Sequence, residues 1–97
     1  MAAYIFFQRL STTDVAELAK YKENLHTAVG NHPIKILAYG TKHENIEGQP
    51  TETAVLAEFP SVEAAKAWYY SDAYTAVRKH RIKGGEHMAV IVEGNPD

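Results

Sequence analysis

Aromatic and basic side chains that could bind a small anion are concentrated between residues 58 and 81. The set consists of Trp68, Tyr69, Tyr74, Arg78 and Arg81. Trp68 and Tyr69 fall on one helical stripe, and Tyr74, Arg78 and Arg81 recur at i, i+4 and i+7 on the next helical segment. Guanidinium groups bind carboxylates through charge-assisted hydrogen bonds, and aromatic side chains commonly line ligand pockets. The pattern predicts a cleft between helices and sheet for a small carboxylate or an enolate.

Within this hypothesis four of the five side chains have individual roles. Tyr74 and Arg81 orient the anionic or enolic group, and Trp68 and Tyr69 form the walls of the cleft. Tyr4 and Tyr39, from the sheet, are two further candidate hydrogen-bond donors.

A second interpretation assigns the same residues to structure alone. Trp68 is then a core anchor, and Arg81 forms an ion pair with Glu58 or Glu93 in a non-catalytic dimeric module. An enclosed cavity that contains a buried arginine without a carboxylate partner favours ligand binding, because an unpaired buried charge is costly. A filled interior with an ion-paired Arg81 favours the structural module. Both interpretations are compatible with the sequence: a small-molecule binder, with or without cofactor-independent catalysis, and a non-catalytic dimeric module.

Metal and thiol chemistry have little support in the sequence. The chain has no cysteine, which excludes disulfides, thiolate metal sites and a cysteine nucleophile. The five histidines are His26, His32, His43, His80 and His87. They form no H-x-H or H-x-x-x-H pair, so solvated surface positions are predicted and neither a metal nor another cofactor is expected. His80 and His87 are suited by type to act as a general base, and the sequence selects neither.

Composition narrows the class of protein. The 97 residues correspond to a single domain, 1–97, and the net charge of −2 is made of interspersed acidic and basic residues. A nucleic-acid interface would need a concentrated basic face, so none is expected. The apolar run near the N-terminus is too short for a signal segment or a membrane span, and we expect a cytoplasmic protein.

The elements that must position the aromatic and basic residues follow from periodicity and capping. Strands are predicted at 3–10, 34–39, 53–59 and 87–93. One helix follows the capping residue Asp14, and two shorter helices follow Ser61 and Ser71, the second of them ending at Gly84-Gly85. A bend or bulge is predicted at 40–42. The order β-α-β-β-α-β predicts a ferredoxin-like α+β fold, in which a four-stranded antiparallel sheet carries its helices on one face.

The predicted sheet is apolar on both faces. Apolar side chains occur at both odd and even positions, and so on both faces of the sheet, in strands 3–10, 53–59 and 87–93. The helices can cover only one of these faces. Four strands at ~4.8 Å spacing and about seven residues of ~3.3 Å give a face of roughly 400–450 Å². An apolar patch of this area is as large as the largest patch that soluble monomers usually expose. We therefore expect a homodimer that packs sheet to sheet with twofold symmetry.

Several segments together resemble a known family. Glu58-Phe-Pro-Ser, Glu63-Ala-Ala-Lys-Ala-Trp-Tyr, Ser71-Asp-Ala-Tyr and Arg81 resemble the signature of domain of unknown function 1330, as do Tyr4, Tyr39-Gly40 and the closing Val-Ile-Val-Glu-Gly94. The resemblance covers nearly the whole chain, with a departure at Gly40-Thr41, where many relatives have a second glycine or a small residue. It implies membership of the dimeric α+β barrel superfamily. That superfamily includes cofactor-independent monooxygenases, haem enzymes, isomerases and stress-response proteins, so the fold alone does not assign a function.

Overall fold

A computed structural model describes residues 1–40 and 42–96. Its four strands are β1 (Ala3–Thr12), β2 (Lys35–Gly40), β3 (Thr53–Phe59) and β4 (Gly85–Glu93). Its three helices are α1 (Val15–Val29), α2 (Val62–Tyr69) and α3 (Asp72–Gly84). The strands pair antiparallel in the order β2-β3-β1-β4. This arrangement confirms the predicted ferredoxin-like α+β fold.

Each helix begins at the polar side chain that the sequence indicated. The side chains of Asp14, Ser61 and Ser71 accept hydrogen bonds from the backbone N–H three residues later, at 3.3, 3.0 and 3.2 Å. These bonds satisfy N–H groups that have no partner within the helix. The capping positions therefore fix where α1, α2 and α3 start, and with them the direction of the side chains on α3.

The register of the sheet assigns side chains to its two faces. The face toward the helices contains Ile5 and Phe7 of β1, opposite Ala57 and Val55 of β3. The opposite face, called here the open face, contains Phe6 between Leu56 and Val90. The register shifts between Ile36 and Ala38 in β2. The bulge predicted at 40–42 includes Thr41, which lies outside the described residues.

The open face is largely apolar and accessible. Phe6, Met88, Val90 and Val92 are 39–55% exposed, and Leu56 and Ala54 lie beside them in the register. Lys35 and Glu58 pair across β2 and β3 near one end of this face. The sheet is thus apolar on both faces, as its strand sequences predict.

The buried core lies between the sheet and the helices α2 and α3. Its largest fully buried side chains are Tyr74, Phe59 and Ile5. The α3–β4 junction is close to its neighbours, because a Cβ on Gly84 would lie 2.5 Å from the Leu18 side chain of α1. Glycine is required at that crossing. The junction therefore holds the C-terminal end of α3 against the first turns of α1.

Candidate functional site

A cavity of about 640 Å³ lies between α1 and the helix-facing side of the sheet. Its volume is within the range of small-molecule pockets, roughly 300–1,000 Å³. The α1 wall contains Leu18, Tyr21 and Leu25, and the sheet wall contains Phe7, Ile36 and Tyr39. Tyr39 is 65% exposed and Ile36 54% exposed, so the cavity opens toward the β2 edge.

The strand register gives the cavity an apolar part and a polar end. Ile36 and Ala57 pair in one row, and Tyr39 and Val55 pair in the next. One row farther on, Arg9 of β1 lies between Thr53 of β3 and His87 of β4. Ile36 and Tyr39 bring exposed apolar surface to the wall. Arg9, Thr53 and His87 bring polar groups. The space thus has apolar surface toward Ile36 and polar groups toward Arg9 and His87.

Arg81 is the buried cation of the cavity. It is 6% exposed, and its guanidinium carbon lies 5.4 Å from the centre of the Phe7 ring. Nη2 donates a long hydrogen bond of 3.4 Å to the Tyr69 hydroxyl. Nε is buried and has no hydrogen-bond partner among the described residues. In the described part of the chain, no carboxylate lies within salt-bridge distance of Arg81.

The predicted ion pair of Arg81 with Glu58 or Glu93 is therefore wrong. Glu58 pairs with Tyr4 and Lys35 on the open face, across the sheet from the helices. Glu93 lies at the end of β4, opposite Ala3. Neither carboxylate reaches the guanidinium group, because Glu58 lies on the open face and Glu93 lies at the opposite end of β4 from His87. Arg81 instead faces aromatic rings and the cavity.

Aromatic side chains hold Arg81 in place from the core side. The rings of Trp68 and Tyr74 lie 4.0 Å apart between centroids, and Phe59 packs on Trp68 at 5.8 Å. Trp68 also lines the cavity, and its Nε1 is a second buried donor without a partner among the described residues. Unsatisfied buried donors cost about 1–3 kcal/mol each. Both donors belong to residues that line the cavity, and the described chain leaves both unsatisfied.

Two tyrosines form a hydrogen-bonded pair at the base of the cavity. The hydroxyls of Tyr21 and Tyr74 are 2.9 Å apart, with Tyr21 on the wall and Tyr74 behind it, fully buried. Burial raises the pKa of both phenols above its ordinary value. Both groups are therefore neutral hydroxyls that donate and accept hydrogen bonds near neutral pH. Tyr21 was not singled out in the sequence, although it lies three residues after Leu18 and four before Leu25.

The remaining residues of the predicted set take different positions. Tyr69 contacts Arg81 through its hydroxyl, and Tyr39 lines the cavity opening. Arg78 lies over the Tyr69 ring at 4.5 Å and donates to the Tyr69 carbonyl at 3.4 Å, away from the cavity wall. Tyr4 lies on the open face beside Glu58, whose carboxylate raises the pKa of the Tyr4 phenol. The structure thus brings Trp68, Tyr69, Arg81 and Tyr39 together, places Tyr74 behind them, and separates Arg78 and Tyr4.

His87 is a cavity residue that the sequence did not distinguish from His80. Its ring lies on the polar end of the wall, and Nδ1 is 3.2 Å from the Gly85 carbonyl oxygen. Burial, followed by the nearby Arg81 charge, lowers the pKa of the imidazole. β4 has apolar residues at both its odd and its even positions, so the sequence did not show which of its faces points toward the helices. No pattern therefore indicated that His87 faces the helices.

The interpretation of all five histidines as solvated surface groups does not hold. His80 is half-buried, and its Nδ1 lies 2.5 Å from a Glu17 carboxylate oxygen. That hydrogen bond lowers the pKa of the Glu17 carboxyl. His43 contacts the Thr51 carbonyl oxygen at 2.8 Å. Across residues 1–40 and 42–96, no three metal-ligating side chains cluster in a way that could hold an ion.

A second, shallower depression of about 350 Å³ lies near Pro33, Lys35 and Pro60. Its lining residues include no buried charged group. The cavity that contains Arg81 is therefore the candidate site. Within the described residues, no helix has the length and apolar character needed to cross a membrane.

Solved structures with the same architecture are distant in sequence. A protein of unknown function from Rhodopseudomonas palustris, RPA0582, superposes with a TM-score of 0.71 at 15% identity, over 99% of this chain and 84% of that one. A dimeric ferredoxin-like protein of unknown function from Jannaschia sp. CCS1 superposes with a TM-score of 0.70 at 9% identity, over 97% of this chain and 100% of that one. The hydroxynitrile lyase of Passiflora edulis superposes with a TM-score of 0.67 at 14% identity, over 99% of this chain and 94% of that one. Identities this low demonstrate a common fold only.

No curated protein matches this sequence. A family match, in contrast, covers almost the whole chain, from residue 2 to residue 95. The segments that carried the resemblance, around Trp68, Tyr74 and Arg81, are also those that form the core side of the cavity. The chain belongs to the family described as Domain of unknown function (DUF1330).

Proposed function

We propose that this protein binds a small molecule with an apolar body and an anionic or enolic head in the cavity between α1 and the sheet. The observation that carries the proposal is Arg81, a buried cation on the cavity wall without a carboxylate partner in the described chain. The interior is hollow beside this residue, which favours a ligand over the alternative of a structural module without one.

The energetics of burial support an anionic ligand. An unpaired charge in a low-dielectric site is strongly unfavourable, whereas a hydrogen-bonded pair with a carboxylate offsets much of that cost. The guanidinium of Arg81 has five N–H donors, and one of them contacts Tyr69. The buried Trp68 Nε1 adds a neutral donor on the same wall. A carboxylate or enolate oxygen would satisfy donors that the protein itself leaves unpaired.

The apolar part of the cavity suits an aromatic or branched body. Leu25, Ile36, Val55 and Phe7 contribute hydrophobic surface, and Tyr39 lies at the opening. Burying such a body contributes about 25 cal/mol per Å² of apolar area. The hydroxynitrile lyase with this fold is one protein in which the architecture supports a small-molecule reaction. We infer a ligand of arylalkanoate type or similar shape.

We also infer that a second copy of the chain covers the open face. Phe6, Val90 and Val92 are 39–52% exposed on a continuous apolar surface. Burying the face in two copies gives a total interface on the order of 1,500 Å² or more, the size of a stable complex. A structural neighbour is described as dimeric. In this assembly the cavities lie on the outer, helix-covered sides of the two sheets, so each remains accessible.

Ligand binding is tested by calorimetric titration with phenylacetate and its neutral isostere phenylacetamide. We expect phenylacetate to bind and Arg81→Met to weaken it about 10-fold or more, because hydrogen bonds to charged groups contribute about 1.5–3 kcal/mol. Arg78→Met is the matched control, since Arg78 lies outside the cavity. Equal affinity for the acid and the amide, or equal losses in the two arginine variants, would contradict the proposal.

The assembly is tested by light scattering at micromolar concentration. We expect a dimer for the wild type and a monomer for Phe6→Glu, because a carboxylate at the centre of the interface would be desolvated without a partner. Ile82→Glu is the control: Ile82 is 62% exposed on α3, away from the open face, and its variant stays dimeric. A monomeric wild type, or a dimer that survives Phe6→Glu, would overturn the sheet-to-sheet arrangement.

A further inference from the structure

His87 and Arg81 meet at the same end of the cavity, on either side of the α3–β4 junction. Arg81 lies one turn before Gly84, and His87 is the third residue of β4. The junction is held tightly, because a Cβ at Gly85 would lie 2.2 Å from the Ser11 carbonyl oxygen. In the register of the sheet His87 lies opposite Arg9. The backbone therefore fixes the imidazole on the wall beside the buried guanidinium group.

The hydrogen bond of His87 decides its tautomer. A carbonyl oxygen only accepts, so Nδ1 must carry the proton in its bond to Gly85. In the neutral imidazole Nε2 then has a free lone pair. Within residues 1–40 and 42–96, Nε2 has no hydrogen-bond partner. His87, a residue of the cavity wall, thus has an unpaired acceptor nitrogen, and the charge of Arg81 lies nearby.

We propose that this cavity catalyses proton transfer at a carbon next to a carbonyl group, with His87 Nε2 as the proton acceptor and Arg81 stabilising the enolate oxygen. The inference rests on the proposed anion binding at Arg81. The C–H bond breaks, its electron pair forms the C=C bond of the enolate, and the carbonyl oxygen takes the negative charge. Nε2 takes the proton, which then exchanges with solvent, so reprotonation of the same carbon introduces a solvent proton and leaves the imidazole neutral again. Return of the proton to the oxygen gives the enol, and no further reactant is consumed.

Other titratable groups of the cavity fit this role less well. Tyr21 and Tyr74 keep their protons, because burial raises the pKa of each phenol. Arg9 is paired with Glu52 at 2.9 Å, and the same carboxylate accepts a hydrogen bond from Thr12. His26 is exposed in the last turn of α1, whereas the first turn of that helix contacts the α3–β4 junction next to His87.

The charges around His87 keep it in the basic form. Arg81 from α3 and Arg9 from β1 lower the pKa of His87 in addition to burial, whereas Glu52 before β3 and the Gly85 carbonyl act in the opposite direction. The net shift is downward, so the imidazole is neutral at neutral pH. A neutral imidazole can accept a proton, and the adjacent guanidinium favours the enolate oxygen that the transfer creates.

The test follows exchange of the C3 hydrogens of phenylpyruvate in D₂O by proton NMR, with the buffer rate subtracted. We expect the wild type to accelerate exchange and His87→Gln to lose about 100-fold or more of that acceleration, the usual contribution of a general base. Phenylacetate affinity should stay within about threefold in His87→Gln, because the substitution leaves Arg81 in place. His32→Gln is the control, since His32 lies outside the cavity wall.

The wild type provides a second readout that needs no variant. Its exchange rate should rise with pH through a single inflection below about 6.5, the ordinary imidazole value, and then level off. Phenylacetate binding without accelerated exchange would overturn this inference and leave anion binding intact. Full exchange activity in a folded His87→Gln variant would also overturn it. So would a loss of exchange activity in His26→Gln when His87→Gln keeps that activity. Failure of phenylacetate to bind would remove both proposals.

Discussion

The space between the helices and the sheet has a filled half and a hollow half. Under α2 and α3, Phe59, Trp68 and Tyr74 are 0–3% exposed and stack on one another. Under α1, Ile36 and Tyr39 also face inward, yet they are more than half exposed beside a cavity of about 640 Å³. The same sheet thus supports a close-packed core on one side and an unfilled space on the other.

Arg81 lies at the boundary between the close-packed core and the cavity, and it connects the two. Its aliphatic stem belongs to the inward stripe of α3 with Tyr74 and Val77, whereas its Nε lacks a partner next to the hollow half. The filled half holds the cation rigidly, and the hollow half leaves room for the group that would neutralise it. The proposed site is preorganised, because close-packed core residues position the arginine before any ligand enters.

The largest effect is expected from truncating matched tyrosines in the two halves. Tyr74→Ala should reduce the free energy of unfolding by about 3–5 kcal/mol, since it opens a void in a close-packed core. Tyr39→Ala should cost less than about 1 kcal/mol, because the side chain is largely solvent-exposed. Urea denaturation at one fixed protein concentration measures both values. Similar losses in the two variants would mean that the second half is also packed.

A smaller effect of opposite sign is expected at the boundary. Arg81→Met should raise the free energy of unfolding of the ligand-free protein by about 1–3 kcal/mol, because it removes a buried charge and keeps most of the packing. Arg78→Met should lower it by about 0.5–1 kcal/mol through loss of the cation–π contact with Tyr69. Strong destabilisation by Arg81→Met would indicate that the guanidinium already has a partner within the folded protein.

The smallest effect concerns the pH dependence of stability. His87 has a lowered pKa in the folded protein, so the unfolded chain binds more protons in the window just below about 6.5. Stability should therefore decline as the pH falls from about 7 to about 5, and this part of the decline should be absent in His87→Gln. Thermal denaturation of both proteins across that range measures the difference. Parallel curves would contradict the burial of a neutral imidazole.

The elements could be predicted from the sequence because their signals are local. Asp14, Ser61 and Ser71 cap the three helices as the capping patterns indicated. The strand Thr53–Phe59 has the predicted bounds. Such features depend on residues within one turn or one strand of each other.

The cavity depends on distances that no periodicity encodes. The alternation of β3 already places Glu58 with Leu56 on the open face, which removes it as a partner of Arg81. The contact of Leu18 with Gly84, in contrast, joins α1 to α3 across the fold, and no local pattern encodes the space that remains between α1 and β2. For the same reason the sequence did not select His87 over His80, and it did not single out Tyr21. Their importance arises from a tertiary gap and not from their spacing along the chain.

The central claim is that Arg81 pairs with an anion supplied from outside the chain. The most direct measurement is a crystal structure of the protein with 4-bromophenylacetate, using anomalous scattering to locate the bromine. We expect the bromine in the apolar part of the cavity and a carboxylate oxygen about 2.7–2.9 Å from an Arg81 nitrogen. A bromine site elsewhere, or a protein carboxylate from either copy of the dimer bound to Arg81, would contradict the account.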